Sequence, residues 1–237
     1  MAMQRANAKK ESKFEALLPA AIDLEDETKF VGYEDSSIES EIKLIFKDGK
    51  EVKSASEGEC MIVLDSTPFY GESGGQVGDK GKLSAKGLEI EVLDTQKIGN
   101  FHLHISKIKK GSINLNDRVK AEINTERRRA IVSNHSATHL MHSALRNILG
   151  EHVQQKGSLV NEEKLRFDFS HKQKLSESEI VKIEQEVNQA IVSAEDTQII
   201  ETSIEESQKL GAIAFFGEKY GDQAVSYTHL RAHETPA

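Results

Sequence analysis

Near residue 124 the hydrophobic pattern of this chain changes its period from two to about 3.6 residues. That switch restricts most severely what the chain can fold into. Before it, Ile42, Leu44 and Phe46 recur at every second position. Asp48-Gly49 follows as the two-residue turn that suits a hairpin. Strand-like runs come again at 61–65, 88–93, 101–105 and 119–123, separated by glycine and asparagine. Short strands at this spacing predict a small antiparallel barrel or sandwich over about 28–123.

After the switch, 130–149 reads as a helix. Ile131, Ala137, Leu140, Met141, Ala144, Leu145 and Ile148 give it an apolar face, and Gly150 sits where a C-terminal glycine belongs. A short strand is predicted at Leu165–Phe169 and a second helix over 176–194, with Ile180, Ile183, Val187 and Ile191 on one face. Ser176 and Glu179 form a capping box at its start. Another strand is predicted at 198–201, and the whole mixture is α+β. Residues 1–18 read as a polar helix that Pro19 interrupts.

Composition excludes several classes. With 237 residues the chain can build one large or two small cores. No apolar run approaches 18 residues, and the first residues lack the apolar segment of a secretory signal. The single cysteine cannot form an internal disulfide, which fits a cytoplasmic location. Cys60 opens an apolar run and reads as a buried small hydrophobe. A net charge of −8 argues against coating nucleic acid through the overall field. Arg127-Arg128-Arg129 and Lys107, Lys109 and Lys110 read either as local basic patches or as solvated charge runs.

Two motifs carry chemistry. In Asn134-His135-Ser136-Ala137-Thr138-His139 the histidines stand four apart, on one face of the predicted helix, where two imidazoles can grip one Zn²⁺ or simply form a polar stripe. Thr138 and His142 extend the same stripe. Ser136 stands where a zinc peptidase has its general-base glutamate, so no base for that chemistry is built in. The loop Phe69-Tyr70-Gly71-Glu72-Ser73-Gly74-Gly75-Gln76-Val77-Gly78-Asp79 has neither phosphate-loop nor dinucleotide spacing. It reads as tight, irregular backbone that lets a ligand or a second backbone come close.

Taken together, these segments resemble the alanyl-tRNA synthetase family. Thr67 to Asp79 is similar to that family's glycine-rich editing motif and Asn134 to Leu140 to its metal-binding helix. Gln155-Lys156-Gly157-Ser158-Leu159-Val160, Leu165 to His171, and Phe216 to Asp222 match the segments that follow, in the same order. The resemblance covers about residues 1–225. It implies a helical linker from the tRNA-recognition region at 1–27, a β-barrel at 28–123, and at 124–225 an α+β editing domain of the type shared by threonyl- and alanyl-tRNA synthetases. The implied activity is ATP-dependent attachment of alanine to tRNA(Ala), with hydrolysis of mischarged seryl- and glycyl-tRNA(Ala). ATP and Mg²⁺ would belong to an aminoacylation domain outside this chain. The partners would be tRNA(Ala) and alanine, serine or glycine as the aminoacyl group, with no membrane. His135 and His139 match zinc ligands, and Thr138 and Gln155 match catalytic pocket residues. Gly74 and Gly75 would let the loop approach the terminal adenosine or aminoacyl group, so the loop is expected to face the His135–His139 helix, in a pocket between the two domains. His142 is expected to stand behind the ligands as a supporting side chain or to lie on the surface.

The sequence departs from the family after Asp222. Residues 226–237 read as a non-native tail, in which His229 and His233 share the four-residue spacing by chance. The family's Cys-x-x-x-His, which would complete the zinc site, is absent. Two further readings stay open: a free-standing alanyl-tRNA editing hydrolase and a non-catalytic RNA-binding fragment.

Overall fold

The computed structural model describes residues 27–193, together with the backbone of 198–202, 212–213, 224–229 and 232–234. The helix expected over 1–27 therefore lies, but for its last residue, outside the described residues. The chain divides into two compact units. One comprises Met1–Ser73 and Gly78–Arg128, the other Gly74–Val77 and Arg129–Ala237.

The first unit is a closed antiparallel barrel of six strands: β1 (Ser37–Lys47), β2 (Gly58–Leu64), β3 (Gly81–Ala85), β4 (Leu88–Ile98), β5 (Phe101–Lys110) and β6 (Arg118–Ile123). Around the barrel the order is β1-β2-β5-β4-β3-β6, and β6 closes back on β1 with Ala121 opposite Ile38. Closure leaves no open sheet edge. Alternation explains most of it: along β4, Leu88, Ile90 and Val92 point into the core while Glu89 and Glu91 face out. Val119, Ala121 and Ile123 do the same on β6. Their side chains meet Ile42, Ile45, Ile62, Leu64, Phe69 and Leu83 in one apolar cluster.

The Asp48-Gly49 turn forms as expected. Both residues have positive φ, 50° and 74°, the type I′ geometry whose twist suits a hairpin, and Lys47 pairs with Lys50 across it. The expected single face of Ile42, Leu44 and Phe46 is corrected. The register shifts between Ile42 and Leu44, and this bulge re-aims the strand. Ile42 and Ile45 therefore enter the barrel core, whereas Leu44 and Phe46 join a separate cluster with Val63, Phe101 and Leu103. The strand β3 carries no alternation signal beyond Leu83 and was not expected from the pattern; it exists because β4 and β6 pair with its two edges.

Polar groups inside the barrel are arranged with directional bonds. His104 is fully buried, its Nδ1 2.9 Å from the Ile62 carbonyl and its Nε2 2.8 Å from Thr67 Oγ1. A carbonyl only accepts, so Nδ1–H donates to it, bare Nε2 accepts from the threonine, and Thr67 Oγ1 accepts the Phe69 N–H. Burial pushes His104 down to about 4, against a weaker upward pull from the Ile62 hydrogen bond. His102 is also pushed down to about 4, by burial first and by Lys97 second, and stacks on Phe30. Cys60 behaves as the small hydrophobe expected: it is buried, and burial pushes its thiol up to about 11.

Helix α1 (Thr125–Leu149) starts five residues before the predicted 130, because Asn124 caps it by accepting the Arg127 N–H at 3.0 Å. Two of the three arginines at its start are engaged within the barrel unit, while Arg129 is exposed. Arg128 pairs with buried Asp79 and also donates to the carbonyls of Gly32 and Pro68, at 2.8 and 3.0 Å. Arg127 donates to the Gly78 carbonyl at 2.8 Å.

In the second unit, α1 is followed by the antiparallel pair β7 (Gln155–Val160) and β8 (Leu165–Phe169), then by α2 (Glu177–Ser193). The Ser176–Glu179 capping box forms reciprocally: the Ser176 N–H donates to Glu179 at 2.8 Å and the Glu179 N–H to Ser176 Oγ at 3.3 Å. Ala144, Leu145, Val153 and Ile183 make the core, with Met141, Ile148, Phe167, Phe169 and Val187 against it. The apolar face expected of α2 is only half used. Ile183 and Val187 pack, while Ile180 and Ile191, at the two ends of that stripe, are 42% and 54% exposed. Backbone strands β9 (Gln198–Thr202), β10 (Ala212–Ile213), β11 (Ala224–His229) and β12 (Ala232–Glu234) form a sheet in the order β9-β11-β12-β10. Among the described residues no helix is long and apolar enough to cross a membrane.

Candidate functional site

The site is built on one face of α1 within the second unit. His135 and His139, one helical turn apart, stack with ring centroids 4.8 Å apart and planes 24° apart. Burial shifts His135 downward from the ordinary histidine value. Thr138 lies beside them, 4% exposed, and its hydroxyl donates to the Asn134 carbonyl one turn back at 2.8 Å. The threonine oxygen keeps lone pairs with which it can accept. Asn134 in turn donates from its side-chain amide to the Asn161 carbonyl at 2.8 Å, which ties α1 to the end of β7.

The glycine loop reaches the same face by a route the sequence did not show. Gly74–Val77 belongs to the second unit; Gly74 and Gly75 form a turn, and Gln76 makes a single parallel bridge to Val160 at the end of β7. The Val160 N–H donates to the Gly75 carbonyl at 2.8 Å, and the Val77 N–H to the Val160 carbonyl at 3.1 Å. Gly74 and Gly75 have φ of 57° and 86°. A Cβ on Gly75 would lie 2.6 Å from the Ser158 carbonyl oxygen, so only glycine fits there. The close approach that the glycines permit at Gly75 is thus to the backbone of β7. It seats the next residue, Gln76, so that its Oε1 is 2.7 Å from His135 Nδ1. Gln76 is the residue sequence reasoning missed. Its only signal was its place directly after the glycine pair.

Of the two places expected for His142, the structure excludes one. His142 is not a surface histidine: it is 1% exposed and tilted against the Phe167 ring, at 4.9 Å between centroids. Burial pushes it down to about 4, with Arg146 adding to the shift and a backbone hydrogen bond with Val153 opposing it. Gln155 is the first residue of β7, and its Oε1 is buried with no hydrogen-bond partner among the described residues. A buried acceptor left open in this way is costly unless a water or ligand fills it.

The histidine pair fits one half of a tetrahedral zinc set. The two rings share one helix face, and Gln76 engages His135 through Nδ1, as the outer partner of a ligating histidine does. Among the described residues no group of three or more His, Cys, Asp or Glu side chains closes around a metal position.

Residues 1–127 match the family model of the tRNA synthetases class II (A). The chain is 48% identical over 223 residues to the alanine–tRNA ligase of Hydrogenovibrio crunogenus (strain DSM 25203 / XCL-2), covering 94% of this chain and 26% of that protein. It is 45% identical to the alanine–tRNA ligase of Halorhodospira halophila (strain DSM 244 / SL1) and 47% to that of Francisella tularensis subsp. novicida (strain U112), with the same coverage. The chain belongs to the class II (A) tRNA synthetase family. It spans about a quarter of the length of the curated relatives it matches.

Proposed function

We propose that this chain is the part of an alanine–tRNA ligase that hydrolyses the ester of wrongly charged tRNA(Ala), acting on seryl- and glycyl-tRNA(Ala). The observation that carries this reading is the single face of α1 on which His135, Thr138 and His139 stand together, joined through Gln76 to the glycine loop. An enzyme selecting alanine needs such a site. One methyl changes binding by only about 1–3 kcal/mol, and a small added hydroxyl is poorly rejected. Attachment of alanine with ATP and Mg²⁺, and recognition of tRNA(Ala) outside this chain, complete the proposed activity in a cytoplasmic protein.

His135 and His139 would hold Zn²⁺ as two of its four ligands. Bound there, the ion supplies a Lewis acid near the aminoacyl end. Thr138 acts as acceptor, since its own proton is committed to Asn134. A seryl hydroxyl can donate to Thr138 Oγ1, and an alanyl methyl cannot. Gln155 Oε1 is the second acceptor, suited to the substrate's ammonium or hydroxyl group. Held between these acceptors, the ester carbonyl is presented to water in a fixed orientation. The test is deacylation of seryl- and alanyl-tRNA(Ala) by the full-length ligase. His139→Ala should abolish seryl-tRNA hydrolysis, and Thr138→Val should lower the preference for seryl over alanyl ester about tenfold or more. Unchanged seryl-tRNA hydrolysis in the His139 variant would refute the proposal.

A further inference from the structure

We infer that Gln76 is the positioning residue of the histidine pair: its side-chain oxygen holds His135 as the Nδ1–H tautomer and so leaves Nε2 bare as the ligating nitrogen. The metal half of this statement rests on the function proposed above, whereas the tautomer half stands without it. A neutral imidazole carries one N–H, and an amide oxygen only accepts. Gln76 Oε1 lies 2.7 Å from His135 Nδ1, so the ring proton is on Nδ1.

The glutamine is held rigidly enough to impose that choice. It is 7% exposed, and the backbone on either side of it is hydrogen-bonded to Val160. Gly75 brings that backbone closer to Ser158 than any side chain would allow. With its amide group turned the other way, Gln76 would donate into Nδ1. The proton would then move to Nε2, and the ligating lone pair would be lost. The glycine pair therefore acts on the histidines at one remove: it places the acceptor that selects the tautomer.

The experiment is long-range ¹H–¹⁵N correlation on this chain, labelled in its histidine rings and free of metal, near neutral pH. His135 should show a protonated Nδ1 and a bare Nε2. Gln76→Leu, similar in size but without the acceptor, should shift His135 toward the Nε2–H form. It should also weaken Zn²⁺ binding, titrated with zinc alone, about tenfold or more, as loss of an outer partner of a ligating histidine does. Gln76→Glu keeps an acceptor and should retain the Nδ1–H form. A wild-type His135 protonated on Nε2, or a Gln76→Leu variant with unaltered tautomer, would overturn the inference. Should Gln76→Leu fail to fold, the wild-type and Gln76→Glu tautomers decide the matter. An Nδ1–H tautomer together with unchanged seryl-tRNA hydrolysis in His139→Ala would uphold the positioning role and overturn only the proposed function.

Discussion

Replacing Arg128 with alanine should be among the most damaging single changes in the barrel unit, although the residue stands in a run of three arginines that looks like surface charge. Asp79 is 2% exposed on its side chain and Arg128 only 16%. Arg128 Nε lies 3.0 Å from each Asp79 oxygen, and its two terminal nitrogens also satisfy the carbonyls of Gly32 and Pro68. Without the guanidinium, Asp79 keeps the Tyr70 N–H at 2.8 Å but loses its countercharge, and two carbonyls lose a donor. Breaking a buried pair from one side costs about 3–5 kcal/mol, against about 0–1 for an exposed pair. Urea denaturation of Arg128→Ala, Asp79→Asn and the double variant would measure it. Arg128→Ala should cost about 3–5 kcal/mol, and the double variant should cost less than the sum of the singles by more than about 1 kcal/mol. Arg128→Lys should recover less than half of the loss, because a lysine cannot bridge both carboxylate oxygens and two carbonyls at once. A loss below about 1 kcal/mol for Arg128→Ala, or strict additivity, would show a solvated pair and refute the reasoning.

Acid should destabilise the barrel through His102 and His104. Both sit near 4 in the folded chain against about 6.5 when unfolded, so the unfolded state binds more protons between these values. Their contribution is complete above pH 6.5 and is lost as pH falls toward 4, by up to about 3 kcal/mol each; in denaturation at a series of pH values, His104→Asn should have the shallower slope across that window. Gly75→Ala should cost at least about 1–2 kcal/mol, because φ is 86° and Ser158 leaves no room; hydrogen exchange at the Val160 amide, which donates to Gly75, should speed up, and unchanged protection would contradict this. Ser176→Ala should lower stability by about 1 kcal/mol through loss of the cap on α2, measured by chemical denaturation.

What could be read in advance follows the range of the interactions concerned. The Asp48-Gly49 turn, the alternation along β4, the Ser176–Glu179 cap and the four-residue spacing of His135 and His139 are local, and each is decided by residues within a turn or a strand of one another. The features missed are decided at a distance. The strand β3 has one core side chain and owes its conformation to two partners. The bulge between Ile42 and Leu44 is a property of the pairing with β2, and it sends neighbouring apolar residues to different clusters. Arg128 and Asp79 are 49 positions apart, and Gln76 and His135 are 59 apart.

The same distinction explains why the glycine loop was legible as a motif but not in its consequence. Adjacent glycines announce a bend or a close approach without saying what approaches. Here the approach of Gly75 is to the Ser158 carbonyl of β7, and what it delivers is the oxygen of the next side chain to a histidine ring. A substitution at Gly75 should therefore act on His135 through Gln76, even where it touches no ligand. Loss of site function on mutating this glycine would not, by itself, place the loop backbone against a substrate. The tautomer of His135 in Gly75→Ala separates the two roles: a shift toward Nε2–H ties the glycine to the histidine pair, and an unchanged Nδ1–H form with weakened substrate binding would place its effect on the ligand instead.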